Sequence, residues 1–267
     1  SIYGLDKPLY IQFFSWIYSI LQLDFGISFT SGEKVKEEIL SRIPITLTIN
    51  IVSMILIFII SLYFGIKSAM KKNSIFDRFT NQLSLLSFSM PSFYLALVLV
   101  LVFSIKFELF PIAGLHSVPN DGSLNYYLDF AWHLTLPIFI IVFGGIGSLI
   151  LYIRALTIEI LKSDYIFFAR ARGLDNKKIL RYYILPNLYP PVITLLGLSL
   201  PGVIGGSVIL ETIFSIDGMG LLFYQSALSH DYPVIMGILI IGAFLTLIGN
   251  MFADLILLKL NPNYNEK

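Results

Sequence analysis

The stretch that decides the fold is RALTIEILKSDYIFFARARGLDNKKILRYYILPNLYP, residues 154–190. Its first half consists mostly of good helix formers, and basic residues gather towards its end, where the helix dipole favours them. Gly173 follows, at the position where a left-handed C-terminal cap costs least. The first half therefore predicts a helix that ends at Gly173.

A second, short helix is expected directly after that glycine. Asp175 or Asn176 can cap it, and it should run from Lys177 to about Tyr183. Pro186 and the two prolines beyond it should end the unit and restart the chain. Together the two halves predict a helix–glycine–helix hairpin.

Apolar segments without charge lie on both sides of this hairpin. Each is long enough to hold the roughly 20 apolar residues that cross a hydrocarbon core, and in lipid such segments must be helical. We therefore predict five membrane-spanning helices. The charge-free intervals are 43–66, 79–105, 130–153, 182–210 and 232–253.

The composition agrees with a lipid environment. The chain is 56% hydrophobic and only 13% charged, whereas a soluble domain is about one-quarter charged. The net charge of +1 argues against a nucleic-acid partner, which would need a basic stripe. There is no cysteine, so disulfides and thiolate metal sites are excluded.

The distribution of bases predicts the orientation. Most lysines and arginines fall on the hairpin side, which the positive-inside rule places in the cytoplasm. We expect an external segment at residues 1–42, a transmembrane domain at 43–258 and a cytoplasmic tail at 259–267 in a multi-pass inner-membrane protein. The bases assigned to the cytoplasm are Lys67, Lys71, Lys72, Arg78, Arg154, Lys162, Arg170, Arg172, Lys177, Lys178, Arg181, Lys259 and Lys267.

The external segment needs a further helix to export it. The stretch Leu9 to Leu23 is too short and too polar to span, and it predicts an interfacial helix with Trp16 in the headgroup zone. We therefore expect one helix upstream of residue 1, which gives six spans in all.

The hairpin resembles the cytoplasmic coupling motif of ABC-importer permeases. That motif has two small residues, a glycine four positions later, and Leu-Pro about a dozen residues beyond. Gly173 matches the glycine, Ala169 the last small residue, and Leu185-Pro186 the Leu-Pro. The run from Asp164 to Gly173 is similar to the variant in the dipeptide/oligopeptide/nickel branch, although phenylalanines replace the acid and the first alanine.

Blocks along the whole chain share this resemblance. They are PLYIQF (8–13), DFGIS (24–28), SRIPITL (41–47), MPSFYLA (90–96), GGSVILETIFS (205–215), DGMG (217–220) and HDYPVIMG (230–237). The family also begins with one more helix than we find here.

The resemblance implies the fold of a type I ABC importer transmembrane domain and a role in import of peptides or peptide-like metal chelates. The hairpin would dock in a groove of a separate ATPase. Partners would be a second homologous permease, two ATPase subunits that bind ATP and Mg, and an external substrate-binding protein. No catalytic residue, metal site or cofactor is expected in this chain. The implied coupling residues are Tyr165, Ala169, Arg170, Ala171, Arg172, Gly173, Leu174, Leu185 and Pro186.

Four residues near the end of the fourth predicted span are candidates for a gate or path. Gly202, Gly205 and Gly206 let helices approach closely, and in this fold the same face lies near the path. Glu211 is an acid near lipid, which is costly unless it is paired or hydrated. Close packing and a structural acid at the helix end are the favoured alternatives.

Other functions have weaker support. No two of His116, His133 and His230 share helical ligand spacing, so metal ligation is disfavoured. An ion-coupled secondary transporter usually carries ionisable groups within its spans, and these intervals lack them. A membrane enzyme lacks support because there is no zinc motif, no pair of aspartates in the spans and no phosphate-binding loop.

Overall fold

The protein is a bundle of helices, seen in a computed structural model that describes residues 8–205 and 207–260. The side chains of residues 200, 201, 203–205, 253, 257 and 260 are not included. The helices in the described residues are α1 (Leu9–Leu21), α2 (Val35–Met70), α3 (Ile75–Ser89), α4 (Ser92–Leu99), α5 (Leu124–Leu161), α6 (Asp164–Ala171), α7 (Asn176–Ile179), α8 (Leu185–Gly205), α9 (Val208–Ile213), α10 (Met219–Leu228) and α11 (Tyr232–Leu260).

The long helices α2 and α5 pack along each other and form the centre of the bundle. They have 36 and 38 residues. At 1.5 Å per residue each is longer than the roughly 30 Å of a hydrocarbon core, so both extend beyond it. Helices α3 and α4 pack on α5, while α8 packs on α11 and α2. We call the end of the bundle that carries residues 154–190 the hairpin end, and the opposite end the far end.

The predicted count of five spans is not confirmed. Among the described residues, α2, α5 and the part of α11 up to Ile256 are long and apolar enough to cross a membrane. The pair formed by α3 and the segment 92–106 gives a fourth span if it is taken as one. The predicted fourth span corresponds to α8, whose side chains at residues 200, 201 and 203–205 are among those not included.

The predicted span 79–105 is not straight. Its two helical parts meet at an angle of 99°. Met90 and Pro91 both have extended ψ angles, 119° and 133°, between α3 and α4. A residue before proline is biased away from the α region, which explains why the chain bends here. Beyond α4 the chain continues as a π-helix, Val100–Lys106.

The predicted domain boundary at residue 42 falls inside a helix. Helix α2 begins at Val35, and its first turn carries Glu37 and Glu38, which favour the positive end of the helix dipole. The stretch that begins at Leu9 forms a helix, α1, which has no buried residue; its position at the membrane interface stays a prediction. A short loop joins α1 to α2 and contains an isolated β-bridge between Ile27 and Lys34.

The hairpin differs from the prediction at two places. The first helix is broken at Ser163, whose hydroxyl bonds back to the carbonyl of Ile160 at 2.6 Å and whose backbone is extended. The second helix does not end at Pro186. A π-helix, Leu180–Ile184, leads into α8. Pro186 lies in the first turn of α8, where the missing N–H of proline breaks no hydrogen bond within α8, so the helix continues through it.

Candidate functional site: the hairpin and its links to the spans

The turn of the hairpin has the geometry that its sequence predicts. Gly173 has a φ of +81° and donates its N–H to the carbonyl of Arg170 at 2.9 Å. The N–H of Leu174 reaches the carbonyl of Ala169 at 3.1 Å, which completes a glycine cap at the end of α6. Asp175 accepts a 2.9 Å hydrogen bond from the N–H of Lys178, so it caps α7 as expected.

One face of the hairpin is buried against the spans. Ile166, Ala169, Ile179 and Ile184 are each at most 1% exposed. The three isoleucines pack in a cluster with side chains of α2, α5 and α8, among them Phe58, Ile66, Ile153, Leu188 and Val192. The hairpin is therefore seated on the ends of the long helices and is not a loose loop.

The other face of the hairpin exposes aromatic and basic side chains. Phe167, Phe168 and Tyr182 are 70%, 62% and 61% exposed. Tyr165 is half-exposed and its ring stacks on Tyr183 at 6.1 Å. Exposed apolar groups rimmed by charge are typical of an interaction surface. The exposed bases around them are Arg170, Arg172, Lys177, Lys178 and Arg181.

The predicted coupling residues fall into two groups. Ala169 belongs to the buried face, and Leu174 and Leu185 are partly buried in the same cluster. The others are exposed: Tyr165, Arg170, Ala171, Arg172, Gly173 and Pro186. Ala169 therefore lies on the side of α6 that is turned away from the exposed aromatic rings.

A buried ion pair that sequence reasoning missed ties the hairpin end together. Asp77 of α3 is 2% exposed, and both of its carboxylate oxygens accept hydrogen bonds from Arg154 of α5, at 2.7 and 2.9 Å. The hydroxyl of Ser68 in α2 and the N–H of Asn73 also donate to Asp77. Arg154 lies near the end of α5, so the pair and the bond from Ser68 link α2, α3 and α5 at the hairpin end of the bundle.

Helix α3 turns a polar face inwards. Asp77, Thr80, Ser84 and Ser87 are buried, whereas apolar residues of α3 such as Phe79 and Phe88 are exposed. A Cβ on Gly147 of α5 would meet Ser84 and Ser87. The spacing of three, four and three residues between the polar positions is a helical repeat, and it is the signal from which this packing face could have been found.

Glu211 has a structural role at the far end. It is 4% exposed, and its carboxylate accepts hydrogen bonds from the N–H of Leu221 at 2.9 Å and from the hydroxyl of Thr46 at 3.3 Å. The Thr46 hydroxyl oxygen in turn accepts from the N–H of Met219 at 2.9 Å. Glu211 and Thr46 together satisfy the free amides at the start of α10, where a negative charge is favoured.

The other path candidates are only partly described. A Cβ on Gly202 would have no atom within 4 Å, so close packing does not require this glycine. Gly205 ends α8, and Gly206 lies outside the described residues.

Two of the three histidines take part in a cluster at the far end. Asp129 and His133 lie four residues apart on α5, a helical spacing that pairs an acid with a histidine and not two histidines. The nearest nitrogen of His116 is 3.7 Å from Asp129, and its ring stacks on Tyr126 at 3.9 Å. The described residues contain no group of three or more His, Cys, Asp or Glu that could hold a metal ion. The cluster holds the loop after α4 against α5.

Comparison with known proteins decides the family. Residues 61–266 match the family described as a binding-protein-dependent transport system inner membrane component. This chain belongs to that family. It is therefore a permease subunit of an ABC importer, and such subunits work with an ATPase and a substrate-binding protein. The prediction of a helical permease fold is confirmed, whereas the count of five spans is not.

Individual relatives agree along almost the whole chain. An oligopeptide transport system permease of Bacillus subtilis is 37% identical over 97% of this chain and 82% of its own length. A metal-staphylopine import system permease of Staphylococcus aureus is 30% identical over 99% of this chain and 80% of its own. A dipeptide transport system permease of Escherichia coli is 29% identical over 99% of this chain and 83% of its own.

A solved structure has the same fold. The inward-facing MetNI methionine ABC transporter superposes with a TM-score of 0.65 at 17% identity, over 84% of this chain and 96% of the matched chain. At this identity the likeness establishes the fold only.

Proposed function

We propose that this chain forms one half of the translocation path of an ATP-driven importer for peptides or peptide-like metal chelates. A second, homologous permease forms the other half. Two ATPase subunits bind ATP and Mg, and an external binding protein delivers the cargo. The N-terminal segment lies outside, and the hairpin and the C-terminus lie in the cytoplasm, as the distribution of bases favours.

The observation that carries this proposal is the two-sided hairpin. Its buried face packs against α2, α5 and α8. A displacement of the hairpin would therefore move these long helices with it. Its exposed face presents Phe167, Phe168 and Tyr182 between basic residues. A partner that covers these rings would bury apolar area, which stabilises the interface between the two subunits.

The cargo class rests on the relatives. Those described above carry names that refer to oligopeptide, dipeptide and metal-staphylopine transport. Two buried acids among the described residues are held by protein groups: Asp77 pairs with Arg154, and Glu211 accepts hydrogen bonds from Leu221 and Thr46. We therefore place the energy source in the separate ATPase.

At the path we assign different roles to the candidates. Gly202, with open space beside it, lines the path together with Gly205 at the end of α8. Glu211 supports a gate at the far end, because it fixes the start of α10.

Reconstitution of the complete complex in proteoliposomes tests the proposal. We expect uptake of a labelled peptide that requires ATP inside the cytoplasmic compartment and the binding protein on the other side, and that a proton ionophore does not abolish. The chain purified without its ATPase subunits should hydrolyse no ATP. Uptake driven by an ion gradient without ATP would contradict the proposal.

A further inference from the structure

We infer that the turn between α2 and α3 binds the headgroup of an anionic phospholipid in the leaflet at the hairpin end. The inference requires only that a membrane surrounds the helices, and it holds for any cargo. We call the binding surface the lipid site. It consists of four bases and two exposed apolar residues beside them: Lys67, Lys71, Lys72, Arg78, Tyr63 and Ile75.

The charges of this turn are not balanced within the chain. Residues 67–78 contain four bases and a single acid, Asp77. Arg154 of α5 pairs with that acid through both carboxylate oxygens. Within the part of the chain that the structure describes, none of the four bases forms an ion pair with an acid. A cluster of unpaired bases at the membrane end of a helix attracts anionic lipid headgroups.

Lys67 is held in one place with donors to spare. Its ammonium donates a hydrogen bond to the hydroxyl of Tyr63 at 2.6 Å and lies 4.7 Å from the centre of the Phe76 ring. That ring stacks on Phe64 at 5.7 Å, which joins α3 to α2. An ammonium has three N–H donors, and the other two have no acceptor among the described residues. The positive-inside rule explains a base on this side of the membrane, but not an ammonium fixed in this way with two free donors.

Exposed apolar side chains lead up to these bases. Ile55, Ile59 and Tyr63 are exposed and precede Lys67 at intervals of four residues, so they form one row along α2. Beyond the turn, Ile75 is 87% exposed, and the exposed Phe79 follows one helical turn later. Acyl chains that cover this row would place their headgroup at the ammonium of Lys67.

An anionic phospholipid matches both parts of this pattern. Its phosphate supplies the negative charge that the four bases lack, and its acyl chains cover the apolar row. A free phosphate would leave Ile75 uncovered. A zwitterionic lipid carries no net charge to balance the bases. The chemistry of the site therefore selects a lipid with a net negative headgroup.

Photolabelling of the complete transporter tests this selection. The complex is placed in phosphatidylcholine vesicles with a trace of phosphatidylglycerol that carries a photoreactive acyl chain. We expect adducts within residues 55–63 and 75–79, displaced by unlabelled phosphatidylglycerol but not by soluble glycerol phosphate. Displacement by glycerol phosphate would indicate a site for free phosphate and overturn the inference. Displacement by added phosphatidylcholine to the same extent would overturn it as well.

Neutral variants test the role of the bases. Lys71→Gln with Lys72→Gln should lower the adduct yield roughly tenfold or more, because each base near an anionic surface strengthens binding about fivefold. Lys34→Gln with Lys36→Gln is the matched control, since these two lysines are also exposed but lie at the far end. Lys67→Arg, which keeps the charge, should retain more labelling than Lys67→Gln. Equal labelling of the two double variants would refute the inference.

A photoreactive group at position 75 tests whether lipid or protein covers the site. The chain has no cysteine, so Ile75→Cys carries the group at one place only. We expect adducts with lipid in the assembled complex. Adducts with the ATPase or the second permease in place of lipid would refute the inference. None of these measurements needs transport, so absence of peptide uptake would contradict the proposed function and leave the lipid site intact.

Discussion

At the scale of single residues, the backbone at Gly173 is the most informative position. Its φ of +81° lies in the left-handed region, and a Cβ there would have no atom within 4 Å. Replacing Gly173 by a residue with a side chain would therefore cost free energy through backbone strain alone, because the added Cβ would clash with no neighbouring atom.

The first prediction concerns this strain. Gly173→Val should destabilise the hairpin turn by about 1 kcal/mol or more, because a β-branched residue fits the left-handed region poorly. We expect near-normal abundance in the membrane, weaker attachment of the ATPase and loss of transport. Gly173→Asn is the control, since asparagine tolerates this conformation, and it should keep most activity. Wild-type uptake by the valine variant at equal abundance would show that the hairpin is only a connector.

Asp231 is a buried carboxylate at the far end that accepts hydrogen bonds from the loop after α1. It is 1% exposed and accepts hydrogen bonds from the hydroxyl of Ser28 at 2.6 Å and the N–H of Thr30 at 3.1 Å. Burial raises the pKa of this carboxyl, but the hydrogen bonds from Ser28, Phe29 and Thr30 outweigh it, so the pKa lies below its ordinary 3.8. The charge ties the loop after α1 to the start of α11.

The second prediction follows from the direction of that pKa. A depressed pKa in the folded state stabilises the fold above the ordinary pKa, and this stability is lost as the pH falls through the lower, folded-state value. Asp231→Asn should lower the free energy of unfolding by about 1.5–3 kcal/mol near neutral pH. Thermal unfolding in detergent should show this gap shrinking once the pH falls below 3.8. The exposed Glu159→Gln should show no such gap; a gap for Asp231→Asn that is independent of pH would contradict the assignment.

At the scale of secondary-structure elements, prediction from sequence succeeded for features that depend only on residues adjacent in the chain. The caps at Gly173 and Asp175 depend on a few adjacent residues, and both are present. The ion pair of Asp77 with Arg154 joins residues 77 positions apart, which no local pattern reveals. The break at Ser163 and the passage of the helix through Pro186 depend on competing backbone hydrogen bonds, so propensity alone could not predict them.

The third prediction tests this ion pair as a joint between α3 and α5. Arg154→Met would leave the Asp77 carboxylate buried without its partner, which costs about 3–5 kcal/mol. The double variant Asp77→Asn with Arg154→Met should recover much of this loss, because no charge stays buried. Thermal unfolding of the two variants measures the difference. Glu37→Gln, which removes the exposed pair with Lys34, should change stability by about 0.5 kcal/mol or less. Equal stability of the single and double Arg154 variants would show that the pair carries no buried-charge penalty.

At the scale of the whole molecule, the apolar intervals predicted a helical membrane protein and the sequence blocks indicated its family, but neither predicted the exact geometry. Charge-free length cannot distinguish a straight span from one bent by 99° at Met90–Pro91. It also cannot show that α2 starts at Val35, because acidic residues continue the helix beyond the apolar segment.

The fourth prediction concerns orientation. Asn120 and Lys177 are both exposed and lie on segments that the positive-inside rule places on opposite sides. Asn120→Cys should react with an impermeant thiol reagent in intact cells, and Lys177→Cys only after the membrane is permeabilised. The reverse pattern would invert the topology.

The most direct test of the central claim, that the hairpin couples the spans to a separate ATPase, is crosslinking from its exposed face. A photoreactive group attached to Tyr182→Cys, at a side chain that is 61% exposed, should form an adduct with the ATPase subunit in native membranes, and the adduct should change in yield when ATP is added. The same group at Asn120→Cys should give no such adduct. Adducts from position 182 with lipid alone, or ATPase adducts of equal yield from position 120, would contradict the account.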